Sequence, residues 1–299
     1  MKKAIIMALA VGLTMIACEK EIMSDEPDNG AVVTDEHGNV LPAKRFTFTL
    51  KGDFSNEWKP TTRGYLEADG RDLTDVWVLD YVDGVLQQQL HQDDNTSDDF
   101  GRPSLALSYG NHHVYFVASR GITPTLSTSD KKITWEKPND TFWADYSVTV
   151  VNSSNGNRAV TLDRVVTKFK AIVNDALPVG ISSISIIPAT WYYALNYQTG
   201  EATGAISNQP TLISIPQSYE GRTEVNFTIH SLSNITEWNT DISIVAKDGD
   251  QTVLGSATMN NVPLKAGRVT EYSGSLFSSA GSTTISLNDT WDDVYQGTW

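Results

Sequence analysis

From Phe46 onward, apolar and polar residues alternate with a period close to two, in short runs broken by Gly, Asn, Asp and Pro. Successive side chains of a strand point to opposite faces, so each run is a strip with one buried and one wet face. Phe46, Phe48 and Leu50, alternating with Thr47 and Thr49, are the clearest case. Runs at 76–82 and 85–90 flank Asp83-Gly84, and runs at 104–109 and 112–119 flank Gly110-Asn111. Both pairs read as hairpins, because glycine accepts the positive φ that a tight turn demands. A third hairpin is expected from 147–152 and 158–162, around the Asn/Ser/Gly cluster at 152–157. Further runs at 165–173, 181–187, 191–197, 212–215, 223–230, 241–247, 253–259 and 269–277 continue the pattern, each ended by turn residues. No amphipathic helix of three turns interrupts them. The expected fold is all-β, built of β-sandwiches.

At 299 residues the chain exceeds what one hydrophobic core usually serves, so two sandwiches are expected, at 44–158 and 159–299. The boundary falls at the polar turn near 155–158. A formal net charge of −14 argues against a nucleic-acid partner, since every phosphate contact needs a Lys or Arg. The single cysteine, Cys18, excludes an internal disulfide framework, a Cys-based zinc site and a CxxC redox pair.

That cysteine follows a basic start, Lys2-Lys3, and an uncharged apolar run that is shorter than the about 20 residues of a membrane-spanning helix. This is the plan of a secretory signal over residues 1–17. Met15-Ile16-Ala17-Cys18 resembles the bacterial lipoprotein box, with Met15 where Leu is usual, which implies lipidation of Cys18. An ordinary signal peptide with an incidental cysteine is the plainer reading of the same residues. Acylation with several chains would tether the protein stably to a membrane surface. Glu19 and Glu21 resemble the surface-export signals of Bacteroidetes lipoproteins, and the polar stretch 18–43 reads as a flexible tether.

Motifs that carry chemistry are sparse. His112 and His113 are adjacent on a strand run, so they point to opposite faces and cannot share one metal ion unaided. The acidic loop Asp93-Asp94 to Asp98-Asp99 lacks the ligand spacing of a calcium loop, and Asp289, Asp292 and Asp293 beside Trp291 read as a solvated terminus. No GxSxG elbow, HExxH, P-loop or dinucleotide fingerprint occurs. No catalytic residue, metal or cofactor is expected. Trp58, Trp77, Trp135, Trp143, Trp191 and Trp238 could stack on sugar rings, although large aromatics of a sandwich mostly belong to its core.

Three segments together resemble the Bacteroidales fimbrillin superfamily, the lipoprotein subunits and anchors of type V pili. The first is Phe46-Thr47-Phe48-Thr49-Leu50, then Thr61-Thr62-Arg63-Gly64, then the hydrophobic strand 73–81. The second, Leu162-Asp163-Arg164-Val165-Val166-Thr167-Lys168, is similar to the strand that opens the family's second domain, with Thr167 where Ala is usual. The third is Val262-Pro263-Leu264-Lys265-Ala266-Gly267 and the strands after it, with Gly267 where Asn is common.

The resemblance implies two tandem transthyretin-like β-sandwich domains and assembly by strand addition. An Arg-specific protease cuts after an arginine, an N-terminal strand leaves, and the groove accepts a C-terminal strand from the next subunit, with backbone hydrogen bonds giving affinity. Carried to this sequence, Phe46, Phe48 and Leu50 form the candidate plug strand, and Arg63 is the candidate processing site, with Arg45 as its rival. Ile285, Leu287 and Trp291 mark the candidate donor strand. The implied partners are other pilus subunits, the lipoprotein-processing machinery, the protease and, through lipid, the outer membrane; the implied location is the fimbrium at the cell surface. The alternative is a surface lipoprotein that binds glycans for nutrient capture, for which an exposed coplanar row of Trp or Tyr would speak.

Overall fold

Alternation decides the first half of the chain. The computed structural model describes residues 32–34, 38–54, 66–67, 73–233, 236–278, 283–288 and 297–298. Its first eleven strands are β1 (Val32–Thr34), β2 (Val40–Gly52), β3 (Leu66–Glu67), β4 (Asp75–Val82), β5 (Val85–Gln92), β6 (Ser104–Ser108), β7 (Gly110–Ser119), β8 (Thr125–Ser127), β9 (Lys132–Thr134), β10 (Thr141–Val150) and β11 (Asn157–Arg164). β2 has β6 antiparallel on one edge and β11 parallel on the other, while β10, β7, β4 and β5 pair in that order. Among the described residues, strand pairing joins the two groups only where β10 and β11 touch, at Phe142–Arg164 and Trp143–Asp163. They fold over one another. Phe48 of β2 meets Phe116 of β7 edge to face at 5.0 Å, and the layer between holds Leu105, Val76, Val78, Val160 and Leu162.

Of the three expected hairpins, one forms. β4 and β5 turn at Asp83-Gly84 with φ of 50° and 80°, pairing Val82 with Val85. At Gly110-Asn111 the chain instead changes layer, because β6 pairs with β2 and β7 pairs with β4 and β10. At 152–157 it crosses again, so that β11 runs parallel to β2 over 157–162 and meets β10 only at Asp163 and Arg164. Gly156 permits this crossing: a Cβ there would sit 2.0 Å from the Arg45 carbonyl oxygen, which no side chain tolerates. The stretch expected as tether also differs in part, since β1 and the start of β2 lie within it and pair with each other.

The second half comprises β12 (Val166–Val173), β13 (Ile181–Pro188), β14 (Trp191–Asn196), β15 (Glu201–Ile206), β16 (Thr211–Ser214), β17 (Val225–Leu232), β18 (Trp238–Asp248), β19 (Val253–Leu264), β20 (Val269–Gly274), β21 (Thr283–Asn288) and β22 (Gly297–Thr298). One sheet orders β17-β12-β20-β21-β22 and the other β16-β13-β18-β19. Phe169, Ile184, Ile186, Ile244, Val262 and Leu264, each fully buried, fill the space between them. The chain passes from the first set of sheets to the second at Val165, between β11 and β12. No α-helix occurs among the described residues, and none of their helices is long and apolar enough to cross a membrane.

A fourth sheet, β15-β14-β9-β8, draws strands from both halves, with Ala194 of β14 opposite Thr134 of β9. It covers the outer face of β4 and β7, burying Leu79, Tyr81 and Val117 against Ile133, Trp135, Leu195 and Tyr197. β7 is thereby buried on both faces, which is why Val114-Tyr115-Phe116-Val117-Ala118 is a continuous apolar run.

Candidate functional site

The candidate plug strand lies in the middle of a layer. Phe46, Phe48 and Leu50 have no exposed surface at all. On one edge of β2, Thr47 N–H donates to Gly156 O at 2.8 Å, and pairing with β11 continues to Gly52. On the other edge, Phe48 and Leu50 N–H donate to Pro103 O and Gly101 O at 3.0 and 3.1 Å, extending the ladder with β6. Aromatic contacts fix the side chains: Phe48 stands 5.8 Å from Tyr146, and the Arg158 guanidinium lies 5.2 Å over the Phe46 ring. Burying each such side chain is worth about 1.5–3 kcal/mol, so β2 carries a large share of its unit's stability.

A buried charge cluster holds the far end of β2. Asp140 accepts from Arg120 Nη1 at 2.9 Å and from Arg164 Nε at 2.7 Å, and all three side chains are nearly inaccessible. Arg164 Nη2 donates to Asp53 O at 2.9 Å, and Arg120 Nη2 donates to Phe54 O. Phe54 packs edge to face on Phe142 at 4.8 Å and closes over Gly52, where a Cβ would meet its ring at 2.8 Å. Two arginines around one carboxylate therefore clamp the chain just where it leaves β2. Sequence reasoning missed this cluster; Arg164, already part of a quoted motif, was its one visible member.

Arg45 lies inside β2, opposite Ala106, with its side chain exposed and its backbone within the ladder. Arg63, Cys18 and Trp291 lie outside the described residues. The candidate donor strand coincides with β21, which pairs antiparallel with β20, Leu287 opposite Thr270; Ile285 lies opposite Gly297 of β22. The approach to it is fastened: Asp175 Oδ1 accepts the N–H of Leu276 at 3.0 Å, and Oδ2 accepts those of Phe277 and Ser278 at 2.7 and 2.9 Å. The two halves share a local plan. β2 sits between antiparallel β6 and parallel β11, and β12 sits between antiparallel β17 and parallel β20. In the second half β21 covers the outer edge of β20; among the described residues no strand covers that edge of β11 over 157–162.

Ser108, His112 and Asp80 are close enough to suggest a nucleophile, base and orienting acid, but the geometry is unsuited to catalysis. His112 Nδ1 lies 2.7 Å from Asp80 Oδ1, and Nε2 lies 2.8 Å from the Ser108 carbonyl oxygen, against 3.4 Å from its hydroxyl. Both ring nitrogens face acceptors other than the Ser108 hydroxyl, and Asp80 favours the charged form of the ring, so the imidazole is not presented to that hydroxyl as a base. His113 is on the opposite face, 3.1 Å from Ser147 Oγ. Among the described residues no group of three or more His, Cys, Asp or Glu is arranged to hold a metal ion. Trp135 and Trp191 are buried, and Trp77 stacks face to face on His91 at 3.8 Å. The described tryptophans form no exposed coplanar row.

A groove of about 730 Å³ opens where loops of the first half, at 121–122 and 136–139, meet β14, β16 and β17. The burial of His230, which lines it, pulls that imidazole down to about 4, so it is neutral at ordinary pH.

Comparison with solved structures finds the same fold in several proteins of low identity. A "putative polysaccharide binding protein" of Bacteroides thetaiotaomicron superposes with a TM-score of 0.53 at 8% identity, covering 85% of this chain and 98% of its own. A "putative adhesin" of the same species gives 0.51 at 8% identity, with coverage of 87% and 99%. A "putative adhesin" of Bacteroides ovatus gives 0.50 at 11% identity, with coverage of 86% and 96%. No curated protein matches the sequence. A family model does match over residues 120–298, and the chain accordingly belongs to the family of unknown function DUF6562.

Proposed function

We propose that this protein is a non-enzymatic fimbrial subunit or anchor acting in cell adhesion, held at the outer membrane by lipid on Cys18 and assembled by strand addition. Residues 1–17 are its signal, and its two transthyretin-like units divide at Val165. The shared fold supports the adhesive role, as does the description of two fold neighbours as putative adhesins. The observation that carries the assembly reading is β2: a strand whose Phe46, Phe48 and Leu50 are wholly buried, flanked on both edges, and N-terminal to Arg63 in the sequence. Losing it would uncover apolar surface comparable in free energy with the about 5–15 kcal/mol that keeps a domain folded, so the vacated slot must be refilled. An extended strand with alternating apolar side chains refills it, because it restores both hydrogen-bonded ladders and the pockets between them. Ile285 and Leu287 give the C-terminal strand that alternation. Arg45 suits a protease less well, since its bond lies within the ladder between β2 and β6, which must open first.

The test is to treat the purified mature chain with an Arg-specific protease, locate the cut by mass spectrometry and follow assembly by light scattering and electron microscopy. Cleavage at Arg63 followed by oligomers, with Arg63→Ala and a chain lacking residues 283–299 both staying monomeric, is the expected result. Cleavage at Arg63 that leaves stable monomers would overturn strand addition. For the anchor, Cys18→Ala should abolish lipid incorporation; unchanged mass and membrane attachment would remove it.

A further inference from the structure

The groove between the two halves is not part of the strand-exchange machinery, and its lining has a distinct chemistry. Tyr193, half-buried and beside Thr211, lines it. Ile122 and Leu212, both more than half exposed, form apolar rims on opposite elements. Between them lie amide groups: Gln209 is exposed, and Asn139 uses Oδ1 to accept the N–H of Asp140 at 2.8 Å, which leaves its Nδ2 to donate. His230 completes the lining.

This mixture selects a class of ligand. A cleft of about 730 Å³ falls within the roughly 300–1,000 Å³ of small-ligand sites, which favour boundaries between domains. Apolar walls bordered by amides, hydroxyls and a neutral imidazole match a molecule with flat C–H faces and many hydroxyl groups. The charges argue for a neutral one. Glu136 and Lys137 at the rim offset each other, Arg120 and Arg164 behind it are already engaged by Asp140, and burial disfavours the charge of Lys168, which lies opposite His230 in the β12–β17 ladder. A neutral imidazole both donates and accepts, as a sugar hydroxyl does, whereas an anion would call for a cation there. We propose that this groove binds a short neutral oligosaccharide, with Tyr193 and Leu212 against its ring faces and Asn139, Gln209 and His230 on its hydroxyls. The proposal concerns the uncleaved monomer and stands whether or not the protein polymerises.

The experiment is saturation-transfer NMR and isothermal titration of the intact mature chain. The probes are cellotriose, maltotriose, mannotriose and N-acetyllactosamine, with trigalacturonic acid as the anionic counterpart. Binding of at least one neutral probe is expected, weakened tenfold or more by Gln209→Ala and by Asn139→Asp, which keeps the acceptor for Asp140 and removes the donor. Both variants should melt within a few degrees of the parent, because Gln209 is exposed and Asn139 keeps its internal bond. Absence of binding by all four neutral probes would overturn the proposal. So would binding of trigalacturonic acid alone, or neutral binding unchanged in both variants.

Discussion

His112 Nδ1 donates to Asp80 Oδ1 across 2.7 Å in a site where neither side chain is measurably exposed, and its other nitrogen donates to the Ser108 carbonyl. The pair ties β7 to β4 and to the end of β6, the strand that flanks β2. Burial disfavours the charged ring, but the hydrogen bond and charge of Asp80, with help from the Ser108 carbonyl, outweigh it and raise the imidazole above its ordinary 6.5. A raised folded-state value means that the stabilisation is complete below pH 6.5 and is lost as pH rises through the folded-state value. Urea denaturation from pH 5.5 to 9 should show that loss, and His112→Ala should remove it. The variant leaves Asp80 buried without its partner, at a cost of about 3–5 kcal/mol.

His230 has the opposite sign. Burial is the main cause of its fall to about 4; Asp140 works against it, and Lys168, Arg164 and Arg120 reinforce it. The unfolded chain therefore takes up a proton first, and stability contributed by this site falls as pH drops from 6.5 towards 4. His230→Gln should flatten the acid limb of the stability curve while leaving the limb above pH 6.5 unchanged. An acid limb identical to that of the parent would contradict the assignment.

Asp140→Ala should destabilise the protein by about 3–5 kcal/mol, since it strands Arg120 and Arg164 in a nearly dry site. Because those arginines also hold Asp53 and Phe54 by their carbonyl groups, amide hydrogen exchange should rise most at the C-terminal end of β2. A uniform rise across the molecule would show that the cluster has no special hold on that strand.

Gly156→Ala should cost at least about 1–3 kcal/mol, because its methyl group would overlap the Arg45 carbonyl and push β11 off β2. Thermal melting measures this directly. Gly249→Ala, at a position where a Cβ meets nothing within 4 Å, is the control and should melt close to the parent.

Much of the fold was legible because strand alternation is local. Phe46, Phe48 and Leu50 announce a half-buried strand, and Asp83-Gly84 announces its hairpin, without reference to any distant residue. What was not legible is pairing between strands far apart in sequence. β2 and β11 run parallel with more than a hundred residues between them, and a parallel pair leaves no turn signature at either end. Gly110-Asn111 looks the same whether the flanking strands pair or part, and only the double burial of β7, set by the fourth sheet, decides that they part. The Arg120–Asp140–Arg164 cluster was hidden for the same reason: three charges spaced 20 and 24 residues apart carry no period. The groove draws on five separate segments, so no single stretch of sequence could display it.

The sheet shared by the two halves also has a mechanical meaning. Bending the molecule at Val165 would shear the β9–β14 ladder, break the 2.7 Å bond from Trp143 Nε1 to Tyr197 O and part the 2.6 Å contact between the Tyr81 and Tyr197 hydroxyls. Because each of these contacts joins the two halves, the halves resist such bending together and not as beads on a string. A pull along the strand direction of β2–β11 or β12–β20 loads those parallel ladders in shear, where many hydrogen bonds must fail at once.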